Sequence, residues 1–369
     1  MFTICKACLN ADYDSPATQA HRQNTESQEA MNTAPRRLGC SPVSVGPLGL
    51  GCWPLAGMTR AGVTREAAVA TVRAAVDAGI THLDTAYCYG EQGESERAIA
   101  EALGLSAGSA AGGGHRRDTV TIAGKCGIHW GPDTTKNPPR RQVVDGRPER
   151  IRAEVEESLT RLGTDRLDLL YLHAPDPTVA IEETAGELKR LLDAGKARAI
   201  GLSNAGVDLL ARFAAECPLS ACQLHFNMLQ REIDEEALPW CRERGVAMVV
   251  YWPLMKGLLA GLMHRGQVFP TSDSRHKYPL FNGVEFERNL DFVDALRPIA
   301  ARLGCALPDL VLAWTVEQPG ITSVLFGATS RAQVAENVRA VACDLDDAAR
   351  AAITAAIRER GVVPRTRAV

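Results

Sequence analysis

Residues 167–202 set the reading of the whole chain. They run from Leu167-Asp168-Leu169-Leu170-Tyr171-Leu172-His173, through the helix-length segment Ile181–Leu192, to Ala197-Arg198-Ala199-Ile200-Gly201-Leu202. The outer pieces are short and apolar, as strands are when both faces are covered. The unit is therefore strand–helix–strand.

The same rhythm extends in both directions. Upstream lie strand-like Leu48–Cys52, a helix with apolar residues at helical spacing (Arg65–Ala78), and strand Ile80–Asp84. Helix Glu94–Leu103, strand Thr119–Ala123 and Pro148–Leu162, a helix that begins with proline, come next. Downstream are helix Val207–Ala215, strand Ala221–Leu224, helix Glu235–Arg244 and strand Val246–Tyr251. Helices near Phe286–Leu303 and Pro308–Glu317 precede a last strand, Ile321–Phe326; helices near Arg331–Val341 and Ala348–Arg360 finish the chain. Eight βα units in about 300 residues predict an α/β fold, a (β/α)8 TIM barrel, rather than an open doubly wound sheet. An open sheet of that kind also carries a Gly-rich turn after its first strand. Here Gly49-Leu50-Gly51 lacks the GxGxxG spacing and reads as a tight strand end.

Composition agrees with a large folded domain. Of 369 residues, 46% are hydrophobic and 23% charged, and the formal net charge is -3. That balance offers no strong field for nucleic acid or an anionic membrane. No apolar run approaches the roughly 18–20 residues needed to span a bilayer, and no secretory signal is legible at the N-terminus. Eleven scattered cysteines read as free thiols of a reducing cytosol, so a cytoplasmic location is expected. Cys5-Lys6-Ala7-Cys8 is a lone CxxC without a partner pair and carries no metal or redox assignment. Residues 1–34 are polar and poor in large apolar groups; they are expected to be a disordered tail before a barrel over 35–369, with Met31 an alternative start.

Three segments break the rhythm. Ala107–Arg117, with Gly112-Gly113-Gly114, reads as a flexible surface insertion. Ile128–Arg147 and Trp252–Val284 are long loops after strands three and seven. Loops that follow barrel strands build active sites, so these two are lid candidates.

Polar residues then stand out at the strand ends. Strand two ends in Asp84, with Tyr89 five residues on. Lys125 stands just past strand three, and His173 ends strand four. Each alone has an ordinary structural explanation; together, on consecutive strands, they sit at the rim where barrel chemistry occurs. A phenol, with a pKa of about 10, is a poor acid at neutral pH. A nearby ammonium is expected to lower that pKa, and an aspartate to keep the ammonium charged and oriented. The tyrosine then serves as general acid to a carbonyl oxygen, and the histidine as a second hydrogen-bond donor. An electron source is missing from this set; a bound nicotinamide supplies hydride in such sites.

At this point the chain resembles the aldo-keto reductase family, over roughly residues 36–341. The carriers are Asp84-Thr85-Ala86 with Tyr89-Gly90, Lys125, Leu172-His173, Gly201-Leu202-Ser203-Asn204, Gln223 with Asn227, Tyr251-Trp252-Pro253-Leu254 with Gly257-Leu258, and Gly327-Ala328-Thr329 with Gln333-Val334-Ala335-Glu336-Asn337. The resemblance implies a nicotinamide-dependent reduction of a small aldehyde or ketone, with Tyr89 as proton donor, Asp84 and Lys125 tuning it, and His173 orienting the substrate. It implies that Ser203, Asn204 and Gln223 bind the carboxamide of the nicotinamide and that Tyr251 stacks on its ring. Trp252, Pro253, Leu254, Gly257 and Leu258 would line the pyrophosphate. Gly327, Thr329, Gln333, Glu336 and Asn337 would surround the adenosine. Cys52 and Trp53 would lie near the nicotinamide and the substrate mouth, although Trp53 reads equally as core packing.

The chain departs from the family pattern in places. Trp252 stands where many relatives have serine, and Gln333 where some have arginine. Arg275, in the loop after strand seven, is the natural match for a residue that pairs with the 2′-phosphate in another branch, with Arg331 and Lys256 assisting. NADPH is therefore expected in preference to NADH. Two other readings stay open. One is a regulatory subunit that binds nicotinamide without turnover. The other is a metal-dependent barrel isomerase or hydrolase, with His173 and His225 as ligands, which leaves Lys125 and Tyr89 unexplained. The carbonyl compound is not legible: Trp53 and Trp130 suggest an apolar wall, Arg140, Arg141 and Arg147 an acidic group. Oligomeric state is not legible either.

Overall fold

A computed structural model describes residues 34–58, 62–105, 117–135, 140–271 and 273–365. The expected tail (apart from its last residue), the CxxC and nearly all of the 107–117 insertion lie outside these residues.

In chain order the strands are β1 Arg36–Arg37, β2 Ser44–Val45, β3 Leu48–Gly51, β4 His82–Asp84, β5 Thr121–Cys126, β6 Ile128–Pro132, β7 Arg140–Val144, β8 Leu169–Leu172, β9 Ile200–Ser203, β10 Ala221–His225, β11 Ala247–Tyr251 and β12 Ile321–Gly327. Eight of them, β3, β4, β5, β8, β9, β10, β11 and β12, are parallel neighbours around a closed barrel. Helices stand between successive barrel strands, so the fold is the (β/α)8 TIM barrel.

Two layers hold it together. Between strands and helices lies the main apolar core, with Leu83, Ile99, Ile122, Ile151, Leu170 and Leu202 essentially without solvent contact. Each such side chain contributes about 1.5–3 kcal/mol on burial. Inside the barrel a second cluster stacks Ala123, Leu169, Tyr171, Ala199, Ala221, Val249 and Leu325. Tyr171 fits there because its neighbour on β9 is Gly201: a Cβ at that position would lie 2.3 Å from the tyrosine ring. The antiparallel β1–β2 hairpin adds Leu38, Val43 and Val45 to this inner cluster. Ser44 O accepts from Thr121 Oγ1, and Gly46 O from Ser323 Oγ, so the hairpin closes the barrel at the N-terminal ends of its strands.

Two expectations change. Strand three does not stop at Ala123: Lys125 and Cys126 pair with Tyr171 and Leu172 of β8, so Lys125 lies within the strand. A charged residue looked like a strand end, but the barrel interior satisfies its ammonium. The loop after that strand also has structure of its own. Ile128–Pro132 pairs with Arg140–Val144 as an antiparallel hairpin, from Ile128 opposite Val144 to Pro132 opposite Arg140. The segment after β11 does remain largely irregular, with short 3-10 turns at Met255–Gly257, Ser274–Lys277 and Pro279–Phe281 before the helix Gly283–Leu303. No single helix among the described residues is long and apolar enough to cross a membrane.

Candidate active site

Four expected residues meet at the C-terminal rim. Asp84 closes β4, and the chain beyond it runs back along β5: Thr85 N donates to Ala123 O at 2.8 Å and Tyr87 N to Lys125 O at 3.0 Å. That path returns Tyr89 over Lys125. Gly90 permits the turn that follows, at φ 88°, where a Cβ would overlap the Glu94 carboxylate. The Lys125 ammonium donates to Asp84 Oδ1, to Thr85 O at 2.9 Å and to Tyr89 Oη at 3.3 Å. The Asp84 carboxylate takes its second hydrogen bond from Gln223 Nε2, at 2.8 Å. His173 packs edge-on to Tyr89, ring centroids 5.7 Å apart, and Trp53 does the same from the other strand end at 5.2 Å.

Electrostatics differ from the expectation in one respect. Burial pushes the Tyr89 phenol well above its ordinary value, and the Asp84 charge adds to the effect. Proximity of Lys125 does not reverse this, because Asp84 neutralises the ammonium in a site closed to water. Tyr89 thus holds its proton. His173 moves the other way: burial first, then Lys125, depress it well below the ordinary imidazole value, so the ring is neutral. Its Nδ1 lies 3.6 Å from Cys88 Sγ. Burial raises the Cys88 thiol, which stays protonated and can donate to Nδ1. With the thiol as donor, the imidazole proton resides on Nε2. The arrangement offers a loaded phenol and a neutral N–H donor to one oxygen atom.

An apolar wall surrounds Tyr89. Ala86, Cys88, Ile128 and Ala174 form a cluster with the partly buried Trp53, Ala56, Trp130 and Val144. The Trp130 indole N–H bonds to Cys88 O at 3.0 Å and Gly90 O at 3.1 Å, which ties the β6–β7 hairpin to the Tyr89 loop. Two of the arginines considered for an acidic group are already paired: Arg140 with Glu91 at 2.8 Å, and Arg147 with Asp145 at 2.6 Å. Sequence reasoning missed the hairpin. Its signal is a turn-forming stretch, Asp133 to Pro138, between two strand-length runs.

The residues expected to hold a nicotinamide dinucleotide line the neighbouring strand ends. Ser203 Oγ donates to Gln223 O at 3.0 Å. Asn204, at φ 58°, donates through Nδ2 to His173 O (2.9 Å) and accepts from Tyr251 Oη (2.7 Å). The Tyr251 ring, only partly buried, abuts Trp252 edge-on at 5.3 Å. Pro253 and Leu258 are buried, Leu254 and Gly257 partly exposed, and Trp252, Met255 and Lys256 all have left-handed backbone. Lys256 lies over the Trp252 ring at 4.0 Å and the Tyr278 ring at 4.8 Å. Burial lowers its pKa to about 8, against the opposing charge of Asp273. Lys256 and Arg275 are the loop cations expected to meet a phosphate. Arg275 is not free for one: its Nε and Nη2 take both oxygens of Asp273, at 2.6–3.1 Å, and its guanidinium lies over Phe269 at 4.5 Å. At the end of β12, Gly327 accepts from Asn337 Nδ2 at 3.4 Å, and Gln333 Oε1 accepts from Thr329 N and Oγ1. Glu336 is exposed on the same helix, Arg331–Val338. Cys52 is wholly buried, with its N–H bonded to Asp84 O. No group of three or more His, Cys, Asp or Glu side chains among the described residues is arranged to hold a metal ion.

Known proteins match this chain along nearly its whole barrel. The model of the Aldo/keto reductase family matches residues 47–358. Aldo-keto reductase YhdN of Bacillus subtilis (strain 168) is 36% identical over 289 residues, covering 78% of this chain and 82% of that protein. The NADH-specific methylglyoxal reductase of Escherichia coli (strain K12) is 33% identical over 319 residues, covering 84% and 94%. Among solved structures, the glycerol dehydrogenase AKR11B4 from Gluconobacter oxydans superimposes with a TM-score of 0.78 at 30% identity, covering 91% of this chain and 98% of that one.

Proposed function

Because the chain belongs to the aldo/keto reductase family, and is therefore an oxidoreductase that works with a nicotinamide cofactor, we propose that it reduces an aldehyde or ketone to the alcohol with Tyr89 as proton donor. The observation that carries the reading is the buried chain Asp84–Lys125–Tyr89, with neutral His173 beside the phenol. When bound, the dinucleotide supplies a hydride to the carbonyl carbon. Tyr89 donates its proton to the oxygen as negative charge builds there, and His173 Nε2–H steadies the same oxygen. Lys125 then faces a developing phenolate at short range and stabilises it, while Asp84 keeps the ammonium charged and aimed. A raised phenol pKa in the resting site keeps the acid loaded. The hydrogen bond from Lys125 eases the proton's departure only as the substrate oxygen takes it.

Ser203, Asn204 and Gln223 are the carboxamide ligands in this reading, with Tyr251 against the nicotinamide ring. Trp252, Pro253, Leu254, Gly257 and Leu258 line the pyrophosphate. Gly327, Thr329, Gln333, Glu336 and Asn337 surround the adenosine, and Cys52 and Trp53 flank the nicotinamide end. The donor chemistry suits these roles: Ser203 keeps its lone pairs and Asn204 a second N–H. Lys256 supports phosphate binding and with it NADPH over NADH, whereas Arg275 contributes only once Asp273 releases its guanidinium. The E. coli relative is NADH-specific by name, so the preference needs its own measurement. Apolar lining by Trp53, Trp130 and Ile128 favours uncharged carbonyl compounds, such as the methylglyoxal of that relative's name.

Titration of the protein with NADPH and, separately, NADH, followed by quenching of tryptophan fluorescence, tests this reading. Trp252 and Trp53 stand in the proposed site as reporters. Saturable quenching by at least one nucleotide, with consumption of it on adding methylglyoxal, is expected. Absence of binding by either overturns the proposal.

A further inference from the structure

We infer that Gln223 is a positioning residue for the proton-donating set: its side-chain amide fixes Asp84, and through Asp84 it sets where Lys125 meets Tyr89. The inference rests on the reading of Tyr89 as proton donor. In the barrel order, β10 and β4 are four strands apart whichever way round they are counted, so Gln223 and Asp84 sit on opposite walls. The 2.8 Å bond from Gln223 Nε2 to Asp84 Oδ2 therefore spans the interior. Both side chains are almost wholly buried, at 2% exposure each. A buried carboxylate needs donors on both oxygens. Lys125 serves Oδ1 and Gln223 serves Oδ2, which pins the rotation of the carboxyl group.

Consequences follow from the count of donors on the ammonium. Lys125 has three N–H groups, and they go to Asp84, Thr85 O and Tyr89 Oη. Without the amide, Oδ2 lacks its donor and competes for the ammonium. The proton most readily withdrawn is the one on Tyr89, whose contact is the longest of the three at 3.3 Å. Gln223 itself is held from behind. Its backbone carbonyl accepts from Ser203 Oγ, and its strand neighbours are Ser203 and Val249. One residue thus joins the carboxamide end of the proposed nucleotide site to the acid set.

The test separates the two duties. Nucleotide Kd from tryptophan quenching and saturated kcat with methylglyoxal are measured for the unaltered protein, Gln223→Leu, Asp84→Asn and the double variant. Gln223→Leu removes a carboxamide ligand and so weakens Kd; a positioning role predicts in addition that kcat at saturating nucleotide falls about tenfold or more. It further predicts little added loss when Gln223→Leu is combined with Asp84→Asn, because the two act in one unit. A weaker Kd with unchanged kcat, or losses that simply add, overturns the inference. Failure of the unaltered protein to bind either nucleotide overturns the underlying function instead. Gln223→Glu covers the case in which the leucine variant does not fold. Its acid form can donate to Asp84 as the amide does, whereas its ionised form repels it. Its kcat should recover relative to the unaltered protein as pH falls; a ratio that does not depend on pH counts against the inference.

Discussion

Lys125 Nζ stands 3.3 Å from Tyr89 Oη, inside a site where both side chains are shielded from water. The pair explains how a phenol stays protonated at rest and still gives up its proton. Burial and Asp84 hold the proton on Tyr89. The ammonium is close enough to stabilise the phenolate once a substrate oxygen pulls the proton away.

Tyr89→Phe removes the acid and little else, because the ring still packs against Trp53 and His173. Nucleotide binding should remain close to normal while carbonyl turnover falls by about 10²-fold or more. Steady-state kinetics beside a fluorescence titration decide it. Turnover near that of the unaltered protein would remove Tyr89 from the proposed role.

Lys125→Met leaves Asp84 buried without its cation. Breaking a buried pair from one side costs about 3–5 kcal/mol. Urea unfolding should show that loss, and Asp84→Leu combined with Lys125→Met should regain most of it while remaining inactive. Equal stability of the single variant and the unaltered protein would contradict the pairing seen here.

Asp273→Asn concerns cofactor choice. Asp273 occupies the guanidinium fork of Arg275 that a 2′-phosphate would use. The asparagine variant should tighten NADPH by about three- to tenfold and leave NADH nearly unchanged. Parallel changes in both dissociation constants would separate Arg275 from the 2′-phosphate.

Glu154 gives a pH signature in stability. It lies beneath the β6–β7 hairpin, accepting from Gly127 N at 2.6 Å and Arg150 Nε at 2.8 Å. Burial outweighs both bonds and raises its pKa from an ordinary 4.5 to about 7. The folded protein therefore holds this proton more tightly than the unfolded chain does. Across that window, stability from this group falls as pH rises, and the full cost is present above it. Glu154→Gln cannot ionise, so its melting temperature relative to the unaltered protein should be higher at about pH 8.5 than at about pH 5.5. The reverse trend would show that Arg150 and Gly127 compensate the charge.

Local pattern by itself determined the barrel. Short apolar strands alternating with helices are a property of neighbouring residues, so eight βα units were legible without any contact across the fold. Asp84, Tyr89, Lys125 and His173 were legible for the same reason, each being a polar residue at or near the end of an apolar run. Tertiary structure decided what these groups do to one another. The bond between Gln223 and Asp84 joins residues 139 apart on opposite walls, a relationship that exists only once the sheet closes. Pattern predicted that Lys125 would lower the Tyr89 pKa; desolvation inside the closed rim, with Asp84 beside the ammonium, gave the opposite sign. Arg275 looked like an open cation until the loop folded Asp273 onto it. Periodicity is carried along the chain, but distances across a barrel and the exclusion of water from its rim come only from packing.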